Sequence, residues 1–418
     1  MLEQQWDDPL SSSIPDSSVS GTTALNDATT RTEHALFETG AKVPEVNHSS
    51  TPTPPPSASG EYGTAGLGHS LENATPSVPI NLNTRPVDPN DKRVINGMTD
   101  INQLAPFKYP WAWNYFLNAN KNHWTPLDIN MAQDVHDYHH RLTLEERHVY
   151  ENVLSYLTTS DILAMRNIGL AVMEKMSAPE LQIYQARQVY EEALHTWTYQ
   201  HCIETIGLDQ GEIYNRYRVV PEINAKIQIA NRRLNSILRT DIDLNNRDEL
   251  ENFVMAYTFF GAIFEGCWFY NGFSPIFALQ RRGLMKGTAE QLQYIMRDEV
   301  MHASFGIRVV KQIMLEENIQ LDPKALREMW DEAEAAESGY ASYILRDPIL
   351  GYCKEDHCDQ FRFIANRRAR SLGFDEPFPQ IGEPPLPWLD EQANLRKEKN
   401  FFETRVTEYQ TGGALSWD

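Results

Sequence analysis

Two short stretches place an acid and a base three residues apart in apolar surroundings: Glu192 and His195 in "EEALHTWTYQ", and Glu299 and His302 in "RDEVMH". On a helix this spacing puts both side chains on one stripe, and Tyr199 falls one turn beyond the first pair. A carboxylate, an imidazole and a phenol on a buried stripe point to metal or redox chemistry, because such groups are costly to bury without charged partners. The pattern alone is weak. Glu45 with His48 and Glu145 with His148 repeat it in a polar tail and at a polar helix start, where it reads as accident. The pairs at 192/195 and 299/302 differ in their apolar setting and in what precedes them.

Each follows an isolated carboxylate on the preceding helical stretch. Asp161 in "VLSYLTTSDILAM" lies 31 residues before Glu192, and Glu265 lies 34 residues before Glu299. Four carboxylates and two imidazoles meeting in one core are prohibitively unfavourable without cations. Two divalent ions about 3.5 to 4 Å apart make them a coherent ligand set. This is the ligand pattern known from ferritin-like di-iron and di-manganese carboxylate proteins.

The elements that must carry these residues read as long helices separated by short breakers, with no alternating strand pattern of any length. A capping box at Thr143 to Glu146 opens a helix running to about Met176. The next, opened by "SAPE", carries Glu192, His195 and Tyr199 and ends near Gly207. A third covers about 222–240. Asn246 and Glu249 start a very apolar helix with Glu265 that stops near Pro275, and further helices fit 288–318, 322–346 and 355–371. The stretch 253–279 is long enough to cross a bilayer and holds one charge, Glu265. A lone mid-membrane carboxylate and a buried soluble helix holding it against a metal are the two readings; the five partner ligands favour the second.

Composition bounds the rest. The 418 residues carry a net charge of −21, which works against nucleic acid and anionic membranes. Four scattered cysteines make no disulfide framework, and Cys353, His357 and Cys358 lack the second pair that a zinc site needs. The amino terminus, "MLEQQWDDPL", has no apolar core, so the reading is a reducing cytoplasm. Residues 1–90 are rich in Ser, Thr and Pro and are expected to be a disordered tail, 91–390 the helical domain, and 391–418 a flexible tail.

From about Asn96 onward the chain resembles the small (beta) subunit of class I ribonucleotide reductase. The resemblance implies an all-α, ferritin-like bundle with a dinuclear metal site in its core. It implies Asp161, Glu192 and His195 as ligands of one metal, and Glu265, Glu299 and His302 as ligands of the other. It implies two iron ions per chain, with Mn/Fe or Mn/Mn open because the same ligands accept manganese. Tyr199 matches the family's radical-bearing tyrosine, formed with dioxygen. Trp124 in "NHWTP", Asp298 and Tyr409 match its radical path to the large (alpha) subunit, which the carboxyl-terminal tail would bind. A homodimer is also implied. Phe269, Phe273 and Ile295 are spaced to give that tyrosine a water-excluding cage. Residues 1–90 are too polar to form the nucleotide-binding domain that some relatives carry. A stand-alone di-iron oxidase shares the six ligands but has no use for the tail, and a storage protein has no use for a caged Tyr199.

Overall fold

The computed structural model describes residues 88–95, 103–105, 107–349 and 351–389. Among them it is all helix, with two isolated β-bridges, Ile95 to Met176 and Ile349 to Tyr352, and no strand. The helices are α1 (Pro110–Ala119), α2 (Ala132–His140), α3 (Leu144–Asn167), α4 (Pro179–Ile206), α5 (Gln210–Val219), α6 (Pro221–Asn235) and α7 (Arg247–Thr258). A π-helical segment, Phe259–Phe269, continues α7 into the single turn α8 (Tyr270–Gly272). There follow α9 (Ser274–Arg281), α10 (Lys286–Glu316), α11 (Pro323–Ile344) and α12 (Lys354–Leu372).

The boundaries follow local chemistry. Thr143 caps α3: its side chain accepts from the Glu146 amide, and Glu146 returns the bond to the Thr143 amide at 2.9 Å. Gly207, at φ 83°, ends α4 in the left-handed conformation that glycine adopts without strain. Asn246 accepts from the Asp248 and Glu249 amides at the start of α7. The regular helix expected up to Met176 instead ends at Asn167 and passes through a π turn, Ile168–Val172. The third predicted helix stops at Asn235, five residues early, and α5 precedes it as a separate helix. Helices α1, α2 and α9 were not predicted; each is ten residues or fewer and gives little periodicity to read.

The apolar stretch that is long enough to span a membrane, Arg247–Arg281, is 94% buried inside the protein over its most apolar window. It is the central helix of a bundle, with α10 and α12 packed along its π segment, while α3 packs along α4. The π segment and α10 come unusually close at Gly261 and Gly306. A Cβ on Gly306 would lie 3.0 Å from the Gly261 Cα, and one on Gly261 would lie 3.1 Å from the Gly306 Cα. Both contacts are with backbone, which cannot swing aside. Gly306→Ala is therefore expected to push α10 off the π segment and cost about 1–3 kcal/mol, read as a lower thermal midpoint. Because the two elements carry Glu265, Glu299 and His302, the same variant should bind metal more weakly than its stability loss explains.

Candidate metal centre

The six sequence-predicted ligands converge. Asp161 comes from α3, Glu192 and His195 from α4, Glu265 from the π segment, and Glu299 and His302 from α10; all are at most 1% exposed. Ligand atoms of Asp161, Glu192, His195 and Glu299 lie within 4.8 Å of one another, and so do those of Glu192, Glu265, Glu299 and His302. Glu192 and Glu299 belong to both groups. Glu265 sits in the middle of the π segment, where the wider turn departs from the regular spacing assumed for Phe269 and Phe273. Phe269, Phe273, Ile295 and Tyr199 are nonetheless all fully buried.

The two motifs are interlocked. His195 Nδ1 lies 3.2 Å from Glu299, and His302 Nδ1 lies 3.0 Å from Glu192, so each imidazole faces the glutamate of the other motif. Behind each ring the pattern repeats. His195 Nε2 is 3.2 Å from Asp298, and His302 Nε2 is 2.9 Å from Glu191. Each outer carboxylate accepts the hydrogen bond from Nε2, so Nδ1 is the nitrogen turned into the site, where a metal would displace its proton. Asp298 was expected in this place. Glu191 was not, although its signal stood in the sequence: both motifs read acid-Glu-x-x-His, and the first acid of each serves the histidine of the other. Arg187 Nε holds Glu191 at 2.9 Å, Asn122 Nδ2 holds Asp298 at 2.6 Å, and Gln188 reaches Glu265 at 3.4 Å.

The electrostatics are those of a cation site. Burial and then Glu192 push the pKa of Asp161 well above the usual carboxylate range, and burial followed by Glu192 does the same to Glu265. Glu192 is raised by burial and by Glu299. Burial also presses on Glu299, but His195 and His302 hold its pKa down. On His195, burial opposes the charge, yet Asp298 and Glu299 carry the pKa well above its ordinary value; on His302, Tyr184 and Glu191 outweigh burial in the same way. Both oxygens of Asp161, Glu192 and Glu299, one of Glu265 and both Nδ1 atoms lack a hydrogen-bond partner of good geometry. So many orphaned acceptors at one buried point fit a pair of divalent ions.

The chain matches the family described as "Ribonucleotide reductase, small chain" over residues 101–385. It is 37% identical over 337 residues to the ribonucleoside-diphosphate reductase subunit beta of Chlamydia pneumoniae, covering 79% of this chain and 96% of the relative. The chain belongs to the ribonucleotide reductase small-chain family. With the small subunit from Dictyostelium discoideum it shares 29% identity, over 75% of this chain and 87% of that one. Its fold is similar to that of a ribonucleotide reductase R2 subunit from Clostridium botulinum, with a TM-score of 0.66 and 24% identity, over 73% of this chain and 95% of that chain. It thus serves as the small subunit of ribonucleoside-diphosphate reductase, an oxidoreductase of deoxyribonucleotide synthesis that works with a large subunit and contains a dinuclear metal centre.

The other expected positions separate. Tyr199 lies beside Asp161, which together with burial raises the phenol's pKa, while its hydroxyl lacks a well-formed hydrogen bond. Trp124 is 7% exposed and stacks on Tyr294, with ring centres 5.3 Å apart. Its indole N–H has no partner, and the Asp298 oxygen not facing His195 is taken by Asn122, two residues before Trp124. Tyr409 lies outside the described residues, as does the decoy His48. The decoy His148 bonds the Tyr343 carbonyl at 3.0 Å, away from the centre. Cys353, His357 and Cys358 form no metal group among the described residues. Replacing Asp298 by Asn or Glu191 by Gln should each weaken metal binding about 10–100-fold, measured by competition with a chelator, because the ring's Nε2 then meets a neutral amide in place of the carboxylate that fixes its tautomer and raises its basicity.

Proposed function

We propose that this subunit makes its radical at Tyr199, with Asp161, Glu192, His195, Glu265, Glu299 and His302 holding two iron ions or a manganese-containing pair. The observation that carries the reading is the placement of a fully buried phenol beside Asp161 at a cluster of orphaned ligand atoms. Bound there, the metal pair supplies a strong one-electron oxidant drawn from dioxygen. The chain's own residues do the rest. Asp161 is the base beside the phenol and takes its proton as the electron leaves. The apolar shell, with Phe269, Phe273 and Ile295 at 0% exposure, keeps water from the phenoxyl. Asp298 keeps His195 Nε2 tied toward the surface side, where Asn122 and Trp124 begin the route out. Tyr409 and the carboxyl-terminal tail complete that route to the large subunit.

A homodimer is part of the same reading. Ile162 on α3, Leu170 just after it, and Tyr190 and Trp197 on α4 are 42–56% exposed, an apolar face suited to a second copy. The Rnr4 protein of Saccharomyces cerevisiae, which shares this fold at a TM-score of 0.56, was solved as a homodimer. All four cysteines are free, in keeping with a cytoplasmic setting.

The test is electron paramagnetic resonance after loading ferrous iron and admitting oxygen, with metal counted per chain. A tyrosyl signal at about two irons per chain is expected. A loaded site with no such signal would overturn the iron version and turn attention to manganese. Deleting the residues after 400 separates this reading from a stand-alone oxidase: the radical should survive while turnover with the large subunit is lost.

A further inference from the structure

A second buried polar chain lies away from the metal centre, between α6, α8, α11 and α12. The Tyr352 hydroxyl is 2.5 Å from His357 Nδ1, and His357 Nε2 is 2.7 Å from Glu337. Glu337 also receives the Lys226 ammonium at 2.5 Å and the Asn271 amide at 2.9 Å. All five side chains are at most 2% exposed. The hydrogen bonds fix the roles. Glu337 accepts the Nε2 proton, so Nδ1 is a lone pair and the phenol is its donor. Burial would raise the Glu337 carboxyl, but Lys226 and His357 hold it down at about 2, so it stays charged. The imidazole thus has a charged carboxylate behind it, shared with Lys226, and a phenol in front of it.

The same phenol stands in a row of rings. Tyr340 lies 6.3 Å from His357 and 5.2 Å from Tyr156 on the inner side, centre to centre. On the outer side Tyr352 lies 6.5 Å from Trp388, which is half-buried and covered by the Arg281 guanidinium at 4.8 Å. A buried phenol cannot give its proton to water, so it is oxidised readily only where a base already holds the hydrogen bond. Tyr156 has no imidazole or other base on its hydroxyl, whereas Tyr352 has one, itself backed by a carboxylate.

We propose that Tyr352 and His357 form a second redox-active tyrosine site. When a one-electron oxidant of tryptophanyl strength takes an electron from Tyr352, the phenol O–H bond breaks and an N–H bond forms at His357 Nδ1. The oxidant is reduced by that one electron, and the imidazolium keeps its Nε2 hydrogen bond to the Glu337 carboxylate. One electron from a surface reductant, a thiolate or a reduced flavin, tunnelling past Trp388 without oxidising it, returns the proton from His357 Nδ1 to the oxygen and restores the phenol. Its role in the enzyme, which rests on the radical-generating reading above, is to trap oxidising equivalents that escape Tyr199 and to let a surface reductant discharge them.

The test uses metal-free, full-length protein carrying Tyr199→Phe and a ruthenium polypyridyl photo-oxidant, so that it does not depend on what the metal centre does. Transient absorption and freeze-trapped electron paramagnetic resonance should detect a tyrosyl radical that disappears in Tyr352→Phe. In His357→Gln the radical should form about 100-fold more slowly, since the positioned base is gone. Equal yield and rate in Tyr352→Phe, or an unchanged rate in His357→Gln, would overturn the proposal. If His357→Gln does not fold, Tyr352→Phe, which removes one hydroxyl, decides alone.

Discussion

Tyr199→Phe should fold, bind metal and dimerise as the parent does, yet fall to background in nucleotide reduction with the large subunit and give no tyrosyl resonance. The structural half of that expectation follows from how little the hydroxyl holds. The Tyr199 hydroxyl is fully buried and its polar neighbour is Asp161, which metal would engage in any case, so its removal leaves the ring's packing intact. A change in stability within about 1 kcal/mol is expected, checked by thermal unfolding of the metal-free protein. The functional half follows from chemistry: phenylalanine has no O–H bond to give up, so Asp161 has no proton to receive. Turnover retained by a metal-loaded Tyr199→Phe variant would mean that the oxidising equivalent is held elsewhere, at the metals or another ring, and would sink the assignment of Tyr199.

This separation of folding from function is unusual for a fully buried side chain, and it reflects how the site is built. The ligand-bearing helices are held by features outside the ligand set: the Gly261 to Gly306 approach, the Thr143 capping box and the bond from Arg368 Nε to the Gly266 carbonyl at 2.9 Å. The site itself contributes strain, through carboxylates that face one another. Stability is therefore stored around the centre and spent at it, a common arrangement where chemistry needs groups that folding would avoid.

The ligands were legible because a type and a spacing recur: two Glu-x-x-His pairs, each with one lone acid 31 or 34 residues earlier, in helices too apolar to tolerate acids singly. The long helices were legible for the same reason, since their period runs for many turns and Thr143 and Asn246 mark their starts. The π segment was not. Its hydrogen bonds shift by one residue from the regular ladder, and no local propensity distinguishes "FFGAIFEGCWF" from a regular helix. Glu191 is hard to tell from an ordinary neighbour of Glu192, because its partner lies 111 residues away on α10. Asn122 gives no signal for a similar reason: a polar residue in a loop says nothing of the Asp298 carboxylate that its amide meets only in the fold.

Metal loading should raise the thermal midpoint by on the order of 15 °C, and that increment should shrink as the pH falls. At ion concentrations about a thousandfold above dissociation, each site adds about 4 kcal/mol. Two sites in a domain of this size then move the midpoint by that amount. The pH dependence follows from the protons that metals must displace. In the metal-free fold Asp161, Glu192 and Glu265 have raised pKa values, and His195 and His302 are raised as well; only Glu299 is lowered. The unfolded carboxylates release their protons near pH 4. Above that, and up through the raised values, the metal-free fold holds more protons than the unfolded chain, so lowering the pH stabilises it. Metal binding requires the opposite, unprotonated carboxylates and free Nδ1 lone pairs, so the same acidification weakens loading. Calorimetry of the two forms across pH 5 to 8 should therefore give midpoints that converge on the acid side. Parallel curves would mean that the ligands are already deprotonated before metal arrives, and the charge balance assigned to this core would be wrong.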